Sequence, residues 1–358
     1  MSSVNHNNTN GLVNSPSEPL WRDMIAEFAN FGGLATNVKC QSCQHGLGLF
    51  SVNPSKPVCI SVPPALLVDA SRLTIQNGYP ELLPDATVNE DYRQWFNNYQ
   101  KYFGWTTETY RTINAFELGL TQLPKPSLCI LKKMGLLNLE HRHAGDWTDV
   151  IFKQYLRTRC LQYRGQRVLM PIADLINHSP YAEPYNTSWG VRVQGLFANE
   201  VLVRYNETDP LQRFFYYGFV SAEPMAHSYP SVIAMNRDER RLAMSPMVRT
   251  ATKPLVTRID RQSYQPAPVN QRIEAVALHQ FPTVPTSRHD AYQNNQRWHH
   301  SNADLEDLYC DVRLINQYYL HELLESLEEC QDYFYTTLRE AIRLQLYALE
   351  QRIRVFVR

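Results

Sequence analysis

Val168-Leu169-Met170-Pro171-Ile172-Ala173-Asp174-Leu175-Ile176-Asn177-His178-Ser179-Pro180 is the stretch from which the rest of this chain is read. From Val168 to Ile176 every residue is apolar except Asp174, which predicts a buried strand or a short buried helical turn. The run stops where an amide, an imidazole and a hydroxyl follow one another and a proline ends the segment. Downstream, Val191, Val193 and Phe197 alternate with polar neighbours, as in a half-buried strand. Ala198-Asn199-Glu200 turns the chain, and Val201 to Arg204 reads as a second strand. That strand delivers Tyr205 into a polar turn, Asn206 to Pro210, and the region closes on the aromatic run Tyr216-Tyr217-Gly218-Phe219.

Working outward, 358 residues are enough to bury a substantial core and to form two domains. The composition, 44% apolar and 20% charged, is that of a globular protein. Lys+Arg and Asp+Glu both number 35, so net charge gives no reason to expect a nucleic acid or an acidic membrane as partner. No apolar run approaches the ~20 residues of a membrane span, and the N-terminus lacks a basic-then-apolar leader pattern. The expectation is a soluble, cytoplasmic protein. Cysteines number seven and are scattered, which argues against a disulfide framework. Cys40 and Cys43 form a CxxC with His45 nearby, but no second pair completes a four-ligand zinc site, so no metal is expected.

Residues 1–18, rich in Ser, Asn and Pro, read as a disordered tail. Trp21, Met24, Ile25, Phe28 and Phe31 share one face of a helix that Gly32-Gly33 ends. Leu47, Leu49, Val58, Ile60 and Val62 predict two short strands around Asn53-Pro54. Residues 65–147 read as mainly helical, punctuated by prolines, with Trp95, Phe96, Tyr99, Tyr102, Phe103 and Trp105 as a core or inter-helix seam. Val150, Ile151, Tyr155 and Leu156 mark a further helix that leads to Thr158-Arg159. Beyond Ser221, short apolar pieces alternate with proline and carry a mild basic bias, and 302–354 reads as two amphipathic helices. Their apolar repeat is too short to specify a coiled-coil dimer.

The order of boxes Asp174-Leu175-Ile176-Asn177-His178, then Tyr205, then Tyr217-Gly218-Phe219 resembles the SET-domain methyltransferases. Within them it is similar to the branch of the Rubisco large-subunit methyltransferase and its actin-histidine and NF-κB-directed relatives. Gly46-Leu47-Gly48-Leu49-Phe50 resembles the opening Gly-x-Gly-Leu-Phe of these domains, and Thr158-Arg159 their Ser/Thr-Arg. One departure stands out. The family follows its tyrosine with Gly and then Ser-Asn-x-Glu, where this chain has Asn206 and Asp209-Pro210-Leu211-Gln212.

The resemblance implies an α+β fold of small β-sheets with knot-like threading. It implies a SET domain over 19–220 with a helical insert at about 65–147, and a mainly helical substrate-binding domain over 221–358. It implies S-adenosyl-L-methionine as cofactor and methyl transfer to a lysine of a protein substrate. The cofactor residues it implies are His45, Gly46, Leu47, Gly48, Arg159, Asp174, Asn177, His178, Tyr205, Tyr217, Gly218 and Phe219, with Tyr205 also catalytic. Arg157 takes the place of Arg159 if the register slips. The chemistry suits these types: a guanidinium grips a carboxylate, an amide anchors an amino-acid end, and aromatic faces cover an adenine or a sulfonium. Leu161 and Ala173, both apolar, favour an aliphatic lysine over an imidazole as target. Taken without the resemblance, Asn177-His178 also fits a polar strand end satisfied by its own backbone, and the tyrosines fit core packing. Two rival functions remain: a SET-like module that binds peptide or cofactor without turnover, and a hydrolase using Asp174 and His178. The latter lacks a Gly-x-Ser-x-Gly elbow.

Overall fold

The computed structural model describes residues 17–43, 46–85, 88–134, 136, 146–205, 210–221, 233–237, 240–244, 255–258, 275–278, 314 and 316–351. The expected tail therefore lies outside the described residues up to 16, as do His45 and the turn Asn206–Asp209. The chain is α+β and divides into two compact units. The first comprises Met1–Thr112 and Arg159–Val203, the second Ile113–Thr158 and Arg204–Arg358. No helix among the described residues is long and apolar enough to cross a membrane.

The first unit opens with helix α1 (Glu18–Asn30), which buries Trp21, Met24 and Phe28. The helix stops where Gly32 N–H donates to the Ala29 carbonyl and Gly33 N–H to that of Phe28, satisfying its last acceptors. Short strands follow: β1 (Leu34–Thr36), β2 (Val38–Cys43), β3 (Gly46–Ser51), β4 (Val58–Val62), β5 (Val68–Asp69), β6 (Leu73–Gln76), β7 (Tyr79–Leu82), β8 (Cys160–Tyr163), β9 (Gln166–Leu169), β10 (Asn177–His178), β11 (Val191–Gly195) and β12 (Leu202–Val203). They make small sheets, ordered β1-β4-β11 and β5-β9-β8, with β2-β3, β6-β7 and β10-β12 as pairs. Both strands expected around Asn53-Pro54 form, but they do not pair with each other. Val58, Ile60 and Val62 are fully buried, so β4 is central between β1 and β11, while β3 lies on β2.

The helical expectation for 65–147 is corrected at its start, where β5, β6 and β7 lie. Asn77 (φ 51) and Gly78 (φ 82) both sit in the left-handed region, the requirement of a two-residue hairpin turn, and this brings Leu73 opposite Leu82. Helix begins at α2 (Glu90–Tyr99), where the Asn89 side chain accepts from Asp91 N–H and Tyr92 N–H. Trp95, Tyr99 and Phe103, four residues apart, stack down one face, Trp95 on Tyr99 at 5.8 Å and Tyr99 on Phe103 at 6.0 Å. Tyr102 is the member of the expected aromatic seam that points outward.

The second unit has its own core. Phe116 and Leu120 of helix α3 (Thr107–Thr121), Leu131 of α4 (Lys125–Lys133) and Phe214 of the helix Pro210–Tyr217 meet Leu323 of a helix over 316–325 and Leu338 of the helix Tyr333–Gln351. Between Ser221 and residue 316 the described residues form two antiparallel strand pairs, Ile233–Arg237 with Arg240–Met244 and Leu255–Arg258 with Ala275–Leu278.

Candidate functional site

The stretch 168–180 has a closed end, buried from Val168 to Ile176, and an open end, half-buried from Asn177 on. β9 carries the chain to Leu169, and a 3-10 turn, Ala173–Leu175, follows, so strand and turn share the apolar run. Between them Ile172 is fully buried with φ 71 and ψ −51. A β-branched residue in that conformation is strained by roughly 1–3 kcal/mol, and the surrounding packing holds it there. The turn sends Asp174 into the interior. Tyr99 of the aromatic stack donates its hydroxyl to Asp174 Oδ1, and Arg159 approaches Oδ2 at 4.0 Å while donating from Nη1 to the Asp174 carbonyl at 2.6 Å. Burial pushes the Asp174 carboxyl up to about 6, against the opposing pull of Arg159, of Tyr99 and of its own N–H.

The open end lies three residues on. Asn177 and His178 form β10, parallel to Leu202 and Val203. The Asn177 amide Nδ2 donates to Glu200 Oε1 at 2.8 Å, reaches Cys43 Sγ at 3.3 Å and lies 3.5 Å from the Leu47 carbonyl. The backbone alternative for this residue is thereby set aside, because its amide is held by other strands. Gly48 is the closest approach: a Cβ there would lie 2.8 Å from both Asn177 Nδ2 and Glu200 Oε1. Cys40, on the same strand as Cys43, is a protonated thiol, pushed up to about 12 chiefly by burial and further by Cys43 and Asp174. A thiol held neutral in this way is a weak nucleophile at neutral pH.

The tyrosines belong to the second unit. The Tyr205 and Tyr217 rings are 5.3 Å apart, Tyr217 meets Phe219 at 5.8 Å and Tyr216 at 4.6 Å. Arg157 lies over the Tyr216 ring at 4.5 Å, and the Gln154 amide donates to the Tyr216 carbonyl. Burial, then the neighbouring Tyr216 and Tyr205, push the Tyr217 hydroxyl above the usual phenol range, so it stays neutral. Gly218, at φ 82, turns the chain between the two aromatics against Phe116.

Among the expected residues, Gly46, Leu47, Gly48, Arg159, Asp174, Asn177 and His178 thus lie in the first unit, and Tyr205, Tyr217, Gly218 and Phe219 in the second. Arg159 is the arginine that meets Asp174, while Arg157 faces Tyr216. Tyr185 donates its hydroxyl to the Ala173 carbonyl, and Tyr181 is exposed. Three residues were not singled out from sequence: Tyr99, Cys43 in its contact with Asn177, and Glu200. A signal existed for Tyr99, since a hydroxyl in a buried aromatic stripe needs an acceptor and a lone buried acid needs a donor. No local signal marks Glu200, which reads as a turn residue.

No protein-family model matches this chain, and no curated protein matches it. Among solved structures it aligns with the crystal structure of the SET domain of LSMT bound to lysine and AdoHcy, at 15% identity over 96% of this chain and 92% of that chain, with a TM-score of 0.43.

Proposed function

We propose that this chain is a SET-type methyltransferase that uses S-adenosyl-L-methionine to methylate a lysine of a protein substrate. The observation that carries the reading is the convergence of Gly48 and Asn177, from boxes 129 residues apart (177 minus 48), on one polar cluster. The donor set fits the cofactor. Gly48 leaves a cradle that a single Cβ would fill, and no donor among the described residues reaches Asn177 Oδ1, which leaves it open to the amino-acid end of a ligand.

When bound, S-adenosyl-L-methionine supplies a sulfonium methyl that an unprotonated amine can accept. The protein's part is to position, to exclude water and to favour the neutral amine by desolvation. Asn177 and the β3 backbone would hold the cofactor's amino-acid end, and Arg159, fixed against Asp174, would bring positive charge for its carboxylate. Asp174 orients Arg159 and touches neither reactant. In this reading Tyr205 would supply its hydroxyl to the amine and the methyl group, and Tyr217 and Phe219 would supply aromatic faces. Buried Ala173 and half-buried Leu161 are apolar, which suits an aliphatic lysine stem. Residues 221–358 serve as the substrate-gripping region in this proposal, and the protein works on other proteins in the cytoplasm, without nucleic acid or membrane.

The test is ligand binding followed by turnover. S-adenosylhomocysteine should raise the melting temperature of the full chain, because a ligand selective for the native state stabilises it. Labelled cofactor should then transfer methyl to lysine in a protein mixture, located by peptide mapping. Absence of a shift at millimolar ligand, in a sample that melts cooperatively, would sink the reading. Binding without transfer to any protein would favour a SET-like binding module instead.

A further inference from the structure

We infer that Glu200 recognises the α-ammonium of the cofactor and so selects ligands that carry one; this rests on the reading of the site given above. Glu200 is half-buried, and no Lys, Arg or His among the described residues pairs with its carboxylate. Its one hydrogen-bond partner there is Asn177 Nδ2, at 2.8 Å to Oε1. A partly desolvated carboxylate held by one neutral amide is under-compensated, and a cation is the partner it lacks. The neighbouring acceptor, Asn177 Oδ1, also has no donor among the described residues. A primary ammonium presents three N–H donors and one positive charge, which matches a carboxylate and an amide oxygen on adjacent side chains.

Glu200 is held in place by the backbone around it. Ser51 N–H donates to the Asn199 carbonyl at 2.8 Å and Val201 N–H to that of Leu49 at 2.7 Å, with Phe50 bridging Glu200 in between. The carboxylate is therefore tied in register to the glycine strand, beside Gly48, and a Cβ there would lie 2.8 Å from Oε1. The same bonds mean that replacing the charge need not move the backbone.

The experiment is calorimetric titration of the full chain with S-adenosylhomocysteine and with its analogue lacking the α-amino group. Wild type should prefer the amino ligand by roughly tenfold or more, the scale of a charge-assisted hydrogen bond. Glu200→Gln keeps an amide oxygen for Asn177 and removes the charge. It should bind the deaminated analogue as wild type does, while its preference falls to within about twofold. Equal weakening of both ligands would mean that Glu200 only holds Asn177, and would overturn the inference. So would a wild type that binds both ligands equally, an outcome that leaves the cofactor reading standing. A folded wild type that binds neither ligand overturns the cofactor reading, and this inference with it. Should Glu200→Gln not fold, Glu200→Asp carries the test: it keeps the charge on a shorter arm and should lower the preference, and an unchanged preference overturns the inference.

Discussion

Asp174 and Glu200 are two carboxylates of the first unit, the first opening the box Asp174 to His178 and the second bonded to its Asn177, and their surroundings differ in kind. Asp174 is inaccessible, tied to Tyr99 and Arg159, with its carboxyl pushed up to about 6 by burial. Glu200 is half-buried and tied to Asn177 alone among the described residues. The first is closed off inside the protein, with Oδ1 held by Tyr99 and Oδ2 facing Arg159 without a hydrogen bond among the described residues, so its expected effect is on stability. Under the proposed function the second offers its charge to a bound ligand, so its expected effect is on binding. A box of five residues, Asp174 to His178, thus places a buried acid and a half-buried amide three positions apart, because the 3-10 turn ends between them.

The comparison breaks most readily at the closed end. Asp174→Ala leaves the Tyr99 hydroxyl and the Arg159 guanidinium without the carboxylate and should cost roughly 3–5 kcal/mol, read as a lower midpoint in urea. A loss below about 1 kcal/mol would place Asp174 with the surface acids, whose substitutions typically stay within about half that. The reverse pattern is expected at Tyr205. Tyr205→Phe keeps the ring against Tyr217, so stability should hardly change, while single-turnover methyl transfer should fall by roughly 10²-fold, a loss of ~3 kcal/mol at the transition state. Wild-type transfer by Tyr205→Phe, with Tyr217→Phe inactive, would give the role to the other tyrosine.

Two smaller effects sharpen the contrast. The Asp174 carboxyl is raised in the folded state from an ordinary 3.8 to about 6, so the folded protein holds its proton more tightly than the unfolded chain. The stability from the protonated form is complete below about 3.8 and is lost as pH rises through about 6. Relative to Asp174→Asn, wild type should therefore lose on the order of 3 kcal/mol across that window, as followed by urea unfolding at a series of pH values. A flat difference would mean that Arg159 and Tyr99 offset the burial fully. At the open end, Asn177→Ala should weaken S-adenosylhomocysteine by roughly 1–3 kcal/mol with little change in melting temperature. Unchanged affinity in the calorimeter would remove Asn177 from the ligand site.

Much of the first unit was legible because its signals are local. The face Trp21, Met24, Phe28 and the alternation Val58, Ile60, Val62 are both seen buried as their periods require. The apolar run before Asn177 fitted either a strand or a turn, and it is one and then the other. The helical expectation for 65–147 fails over residues 73–82, because Asn77-Gly78 takes the left-handed turn of a hairpin. Strand partnership was not legible at all, since β3 and β4 lie close in sequence and yet pair elsewhere.

What the amino-acid sequence determined by itself is the set of short-range features: which faces are apolar, where glycine and proline interrupt, and that an acid, an amide and an imidazole end one buried run. Only the tertiary structure decided what those groups meet. Tyr99 reaches Asp174 across 75 residues, Cys43 reaches Asn177 across 134, and Glu200 reaches Asn177 across 23. The reason is physical. Periodicity is set by neighbours along the chain, whereas the partner of a buried carboxylate or a half-buried amide is whichever group the packing of distant strands and helices leaves within hydrogen-bond distance.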